Sequence, residues 1–136
     1  MEVTTNSTQE TKELAEKLAE NIKSGMTLAL YGDLGSGKTT FTRFLVEALG
    51  QDSRVQSPTF VVARKYGNIN HIDLYRLTTK EEVEDIGIEE FLADESAINI
   101  IEWPELAEAF LPKDTVSIYF EYVDDEKRKI RIQNLN

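Results

Sequence analysis

The stretch Gly32-Asp33-Leu34-Gly35-Ser36-Gly37-Lys38-Thr39 restricts this chain more than any other feature. It satisfies G-x-x-x-x-G-K-[ST] at every fixed position, a pattern whose chemistry is phosphate binding. Gly35 and Gly37 allow a tight turn, partly at positive φ, so several backbone N–H groups converge on one point. Lys38 adds a compact positive charge for the outer phosphates, and the Thr39 hydroxyl is a ligand for Mg²⁺. The pattern needs a strand before it and a helix after it. Residues 26–31 read as a buried strand. Phe41, Phe44, Leu45, Ala48 and Leu49 recur at helical spacing, and Gly50 follows as a stop. The helix N-terminus then directs its dipole at the phosphates.

The bulk of the chain fits around such a unit. Its 136 residues, 40% hydrophobic and 29% charged, suit one soluble domain spanning 1–136. No apolar run is long enough to cross a bilayer. The polar start, with Glu2, matches neither a secretory signal nor a transit peptide, and the expectation is a cytoplasmic protein. The absence of cysteine excludes a disulfide scaffold and thiolate metal sites, and a single histidine excludes a multi-histidine site. A net charge of −10 argues against general nucleic-acid binding, which needs Lys and Arg on phosphates. Two readings of the acidity stand side by side: plain solubility, or an acidic face that docks a basic partner.

In chain order, residues 1–6 form a frayed end or a short edge strand. Ser7 to Glu10 matches a capping box, and the helix it starts carries Leu14, Leu18 and Ile22 on one stripe as far as Gly25. After a polar connection, Ser57-Pro58-Thr59-Phe60 leads into a hairpin over 60–75 with Gly67-Asn68 at its turn. Thr59 is either a switch-type threonine that senses Mg²⁺ or the γ-phosphate, or a strand cap. Asp73, at the end of the returning strand, either binds Mg²⁺ through water or orients an attacking water, or else pairs with Arg76. His71 shares a face with Asp73 by strand alternation and reads as a hydrogen-bonded structural residue.

Residues 78–95 read as two short helical pieces hinged at Gly87, an acidic stretch that is either a solvated face or a docking surface. Residues 97–102 make an apolar strand ending in Glu102, the Walker B position beside Mg²⁺ unless this acid simply faces solvent. Trp103 is a core cap or a gate. Pro104 suits the first position of a helix carried by Leu106, Ala107, Phe110 and Leu111 and ended by Pro112. A last hairpin over 116–132 holds Lys127 and Arg128, which either approach a nucleotide or guard a basic edge strand against aggregation. The expected fold is α/β: a mainly parallel sheet flanked by helices, with antiparallel hairpins.

The motifs Gly-Asp-Leu-Gly-Ser-Gly-Lys-Thr-Thr, Ser-Pro-Thr-Phe, His-Ile-Asp-Leu-Tyr-Arg and Ile-Ile-Glu-Trp-Pro-Glu, in this order and spacing, resemble those of the bacterial TsaE (formerly YjeE) family across residues 7–132. The resemblance implies a small P-loop ATPase that uses ATP and Mg²⁺. It implies a role in the threonylcarbamoyl modification of adenosine beside the anticodon of tRNA. The implied partners are TsaD-like and TsaB-like proteins, with tRNA reached only through them and slow hydrolysis resetting the complex. By the same resemblance, Lys38 and the loop Asp33, Leu34, Gly35, Ser36 and Gly37, with Thr39 and Thr40, fall on the nucleotide. Thr39 and Glu102 fall on Mg²⁺, Asp73 and Thr59 on catalytic or switch positions, and Trp103 on the family's functional tryptophan. Thr8 and Arg128 fall on positions that close over the adenosine.

Two other readings of the same loop remain. A small-molecule kinase needs an acceptor pocket and a lid of arginines, whereas Arg43, Arg54, Arg64 and Arg76 are scattered. A non-catalytic, nucleotide-gated binding module needs only the cradle. A GTPase would carry an Asn-Lys-x-Asp guanine reader, and none is present.

Overall fold

The computed structural model describes residues 1–52 and 62–135, so Thr59 and the Ser-Pro-Thr-Phe motif lie outside the described residues. Seven strands form one sheet in the order β1-β7-β6-β2-β5-β4-β3. The strands are β1 (Glu2–Thr5), β2 (Thr27–Tyr31), β3 (Ala63–Tyr66), β4 (Ile69–Asp73), β5 (Ile98–Glu102), β6 (Val116–Tyr122) and β7 (Arg128–Gln133). The neighbours β6, β2, β5 and β4 run parallel. The hairpins β3–β4 and β6–β7 add antiparallel ladders at either side, as does β1 on β7.

Strand alternation divides the side chains between two layers of helix. Leu28, Leu30, Ile69, Ile98, Ile100, Val116 and Ile118 face α1 (Thr8–Ala19) and α2 (Lys38–Ala48), where Leu14, Leu18, Phe41 and Leu45 complete the core. Ile72 and Ile101 point the other way, onto Val83 of α3 (Lys80–Asp85), Ile88 of α4 (Ile88–Ala93) and Ala107 of a 3-10 helix (Pro104–Phe110). Parallel strands covered on both faces are nearly continuous in apolar residues, and β2 and β5 are buried along almost their whole length. Truncating a fully buried residue such as Leu45 to Ala costs about 2–5 kcal/mol at such positions.

Several local expectations change. The α1 helix ends at Ala19 with Glu20 as its cap, short of Gly25. Tight turns from Asn21 N–H to Leu18 O and Ile22 N–H to Ala19 O close it early, and Ile22 is buried from that turn instead. Gly25, at φ 91°, donates to Ala97 O at 2.7 Å and aims the chain into β2. Ser7 caps α1 by accepting from Glu10 N–H, but the Glu10 carboxylate reaches Asn6 N–H instead of closing the box on Ser7. The reciprocal box forms at Thr79 and Glu82, ahead of α3. The hinge at Gly87 is present, with φ 84°. The basic strand β7 is not an edge, because β1 pairs along it from Glu2–Arg131 to Thr5–Arg128. An aggregation guard is therefore not what its arginines provide. Among the described residues no helix is long and apolar enough to cross a membrane.

Candidate functional site

The carboxyl ends of β2, β4, β5 and β6 meet at one side of the sheet, and the glycine loop sits over them. In parallel α/β sheets this is where ligands bind. The loop closes tightly: a Cβ on Gly32 would lie 2.6 Å from Ser36 Oγ and 2.8 Å from Phe120 O, so only glycine fits. Gly37 caps α2 at φ 103° and has no side chain to satisfy the first-turn amides, which are left for an outside acceptor. Among the described residues, Ser36 Oγ in the same loop is buried without a hydrogen-bond partner. The resulting cleft of ≈ 260 Å³ is lined by Asp33 to Thr40, Asp73, Tyr75, Glu102, Trp103 and Arg128. A roomier hollow of ≈ 800 Å³ between α1 and β1 is lined by Val3, Leu14, Leu18 and Leu135. It holds none of the phosphate-loop residues.

Lys38 is folded back. Its Nζ donates to Gly32 O and lies 3.4 Å from the centre of the Trp103 ring. Burial pushes its ammonium below the ordinary value, against the opposing pull of Glu102, Glu105, Asp73 and Asp33. Trp103 adopts a left-handed backbone, φ 57°, which turns its ring to the cleft directly after β5. Tyr75 leans on that ring at 5.0 Å. A bulky residue at positive φ is strained and is held only where its surroundings demand it.

Glu102 is 2% exposed and fully engaged. Its Oε1 accepts from Thr39 Oγ1 at 2.9 Å, and its Oε2 lies 2.5 Å from His71 Nε2. Burial pushes the carboxyl up, but the His71 contact, the Thr39 hydroxyl and the Lys38 charge outweigh it and hold it below the ordinary range. Asp73 stands beside Glu102 in the β4–β5 register, half-buried at the cleft. Its Oδ1 accepts from Tyr75 N–H at 3.0 Å, which ties down the turn after β4.

Arg128 reaches the loop from the last hairpin. Its Nη2 donates to Gly35 O at 3.3 Å, its Nη1 donates to Asp124 O at 2.5 Å, and its guanidinium covers Tyr122 at 4.7 Å. It separates the cleft from a smaller lobe of ≈ 90 Å³ lined by Thr8, Thr11, Ser36, Gly37, Thr40, Asp125 and Glu126. Thr8 thus reaches the loop from the other side, through this lobe. Lys127 lines neither space among the described residues.

Apart from Lys127, every described residue singled out from the sequence as a site candidate borders the cleft or its lobe. Two were not foreseen in their roles. His71 is structural only in the sense that its imidazole is bonded to Glu102, and that link crosses two strands far apart in sequence. Tyr75 supports Trp103, a contact made by a turn that sequence pattern does not specify.

The residues fit a nucleotide and a hard cation. Free amides, a buried lysine and a close glycine turn suit phosphate oxygens. Thr39 and Glu102 supply oxygen donors of the kind Mg²⁺ prefers, and no cluster of three acidic or histidine ligands exists among the described residues to hold a metal alone. That division, few protein oxygens with the rest from water and phosphate, is the usual one for Mg²⁺ on a nucleotide.

Strand, glycine loop and helix, with an acid at the end of the neighbouring strand, define the fold as that of a P-loop nucleotide-binding protein. The chain belongs to the TsaE family: the family model "Threonylcarbamoyl adenosine biosynthesis protein TsaE" matches residues 5–130. The tRNA threonylcarbamoyladenosine biosynthesis protein TsaE of Bacillus subtilis is 37% identical over 126 residues, 90% of this chain and 78% of that one. The protein of the same name from Aquifex aeolicus is 38% identical over 137 residues, 96% of this chain and 94% of its own. The crystal structure of Bacillus subtilis YdiB superposes with a TM-score of 0.79 at 29% identity, covering 100% of this chain and 86% of that one.

Proposed function

We propose that this chain is a Mg²⁺-dependent, slow ATPase subunit for threonylcarbamoyl modification of adenosine next to the anticodon of tRNA. It works as one cytoplasmic domain over residues 1–136, with TsaD-like and TsaB-like partners, and meets tRNA only through them. The observation that carries the reading is the floor of the cleft. A buried lysine, a threonine hydroxyl and a strand-end glutamate converge there, with Thr39 Oγ1 2.9 Å from Glu102 Oε1.

The roles follow from the chemistry of each group. Lys38 exchanges its Gly32 carbonyl and Trp103 ring for the outer phosphates of ATP, and the loop amides hold the negative charge that develops there. Thr39 and Glu102 hold Mg²⁺, which neutralises phosphate charge when bound. Asp73, half-exposed at the same level of the sheet, accepts a hydrogen bond from the attacking water and aligns it. Thr59 acts as the switch residue. Thr8 and Arg128 close over the adenosine from the smaller lobe.

The test measures ATP binding and phosphate release by the chain alone, and again with TsaD and TsaB homologues. Hydrolysis that rises with the partners and needs Mg²⁺ supports the proposal. ATP that stays intact in the full mixture replaces it with a nucleotide-gated binding module. Phosphate found on a small-molecule acceptor replaces it with a kinase.

A further inference from the structure

We infer that His71 is a positioning residue for Glu102: it holds the carboxylate so that one oxygen is kept for Thr39 and the cation. The inference rests on the proposed role of Glu102. His71 lies at the middle of β4 and Glu102 at the end of β5, and the side chains are 4% and 2% exposed. The two carboxylate oxygens are divided between two donors, Oε2 at 2.5 Å from His71 Nε2 and Oε1 at 2.9 Å from the Thr39 hydroxyl.

That division fixes chemistry as well as place. With its two oxygens divided between two donors, Glu102 acts as a carboxylate, which only accepts hydrogen bonds. The hydrogen in the short contact therefore sits on His71 Nε2. A charge-assisted bond of this kind is about twice as strong as a neutral one. A glutamate side chain loses on the order of 1–2 kcal/mol of rotamer freedom when it is fixed. The histidine bond settles that loss in the folded chain, before nucleotide arrives. The backbone sets the partner's position just as firmly, since His71 is in register with Ile100 on one side and Arg64 on the other. With Oε2 occupied, the carboxylate is kept from turning away, and Oε1, the oxygen bonded to Thr39, would be the one left for the cation. His71 lines neither the cleft nor its lobe and works only through Glu102.

Glutamine at position 71 places an amide N–H the same number of bonds from Cβ as histidine Nε2, whereas asparagine is one bond short and alanine has no donor. Mg²⁺ is titrated against ATP binding by calorimetry, and steady-state hydrolysis is followed with partners present. Partners of this kind that orient a ligand typically matter about 10–100-fold for metal affinity or rate. The expected result is an Mg²⁺ midpoint at least about tenfold higher in His71→Ala and His71→Asn, with a similar fall in kcat. KM for ATP at saturating Mg²⁺ should stay within about twofold, and His71→Gln should recover most of both losses. Wild-type Mg²⁺ dependence with an unchanged midpoint and kcat in His71→Ala overturns the inference alone. ATP binding by the wild type that ignores Mg²⁺ overturns the proposed site chemistry, and the inference with it.

A second measurement needs no variant to fold. His71 is the single histidine of the chain, so one set of imidazole signals appears in a long-range ¹H–¹⁵N spectrum of the unliganded protein. A hydrogen on Nε2 supports the arrangement. A ring carrying its only hydrogen on Nδ1 overturns it.

Discussion

The floor and the mouth of the cleft are built on opposite terms. At the floor, Lys38, His71 and Glu102 are all at most 5% exposed; Lys38 is held by Gly32 O, and Glu102 by His71 and Thr39. At the mouth, Leu34 and Tyr75 are more than half or half exposed, and the hydrogen bonds of Arg128 go to backbone carbonyls of its own turn and of Gly35. His71 and Glu102 stand on two adjacent parallel strands, so their geometry is set by the sheet register, and Lys38 opens α2 beside them. The mouth stands on turns and on the tip of a hairpin, which a ligand can shift at little cost. Residues of the floor should therefore decide whether nucleotide binds and reacts. Those of the mouth should decide how tightly and how selectively it is held.

The sharpest attack on this contrast is Lys38→Ala, expected to remove ATP binding, a loss of about 10²-fold or more when a charged hydrogen-bond donor to phosphate disappears. Calorimetry that finds near-normal affinity would break the contrast at once. Glu102→Ala should keep ATP affinity within a few-fold and lower phosphate release by about 10²–10³, the scale for losing a positioned charge in a site. It should also cost stability, about 1–3 kcal/mol, because His71 and Thr39 are left unpaired. Full hydrolysis in this variant would move the chemistry elsewhere. Asp73→Asn separates the two acids at one level of the sheet: turnover should fall by about 10², the lower scale for a proton-handling group, with stability changed by less than about 0.5 kcal/mol. Arg128→Ala should weaken ATP by about fivefold, near 1 kcal/mol, and leave kcat alone, which a drop in kcat would contradict.

The gentlest probe is acid. The Glu102 carboxyl lies below its ordinary value in the folded chain, so it binds fewer protons folded than unfolded near that value. Its contribution to stability is complete above the unfolded value of 4.5 and is lost as pH falls through the folded one. Denaturant midpoints of the wild type should drop more steeply below pH 4.5 than those of Glu102→Gln. Parallel acid limbs would show that the floor pairing adds nothing.

The glycine loop was legible in the sequence because its determinants are local: a strand, a turn that only glycine makes, and a helix, all within residues 26–50. Glu102 was legible for the same reason, as an acid closing an apolar run. What joins them was not. Strand alternation placed His71 with Asp73, but nothing in the pattern said that β4 lies beside β5 with Asp73 opposite Glu102. Neither did the residues around Arg128 reveal that β1 returns to cover β7, since a four-residue polar strand has little periodicity to read. The early end of α1 went unseen because Ile22 continues the helical stripe and is buried, yet from a turn that follows the helix. The segment after Pro104 carries a helical pattern and folds as a 3-10 helix. The αL residue Trp103 before it is invisible to a reading by residue type.

Trp103 carries the only indole in the chain, and an ammonium rests 3.4 Å from its centre. Excitation at the red edge of protein absorbance therefore interrogates one spot, the seat of Lys38. A cation that close perturbs the excited indole, and the proposed departure of Lys38 toward phosphate should change the emission without any label. The protein would then signal, in its own intrinsic light, the moment its lysine leaves the ring.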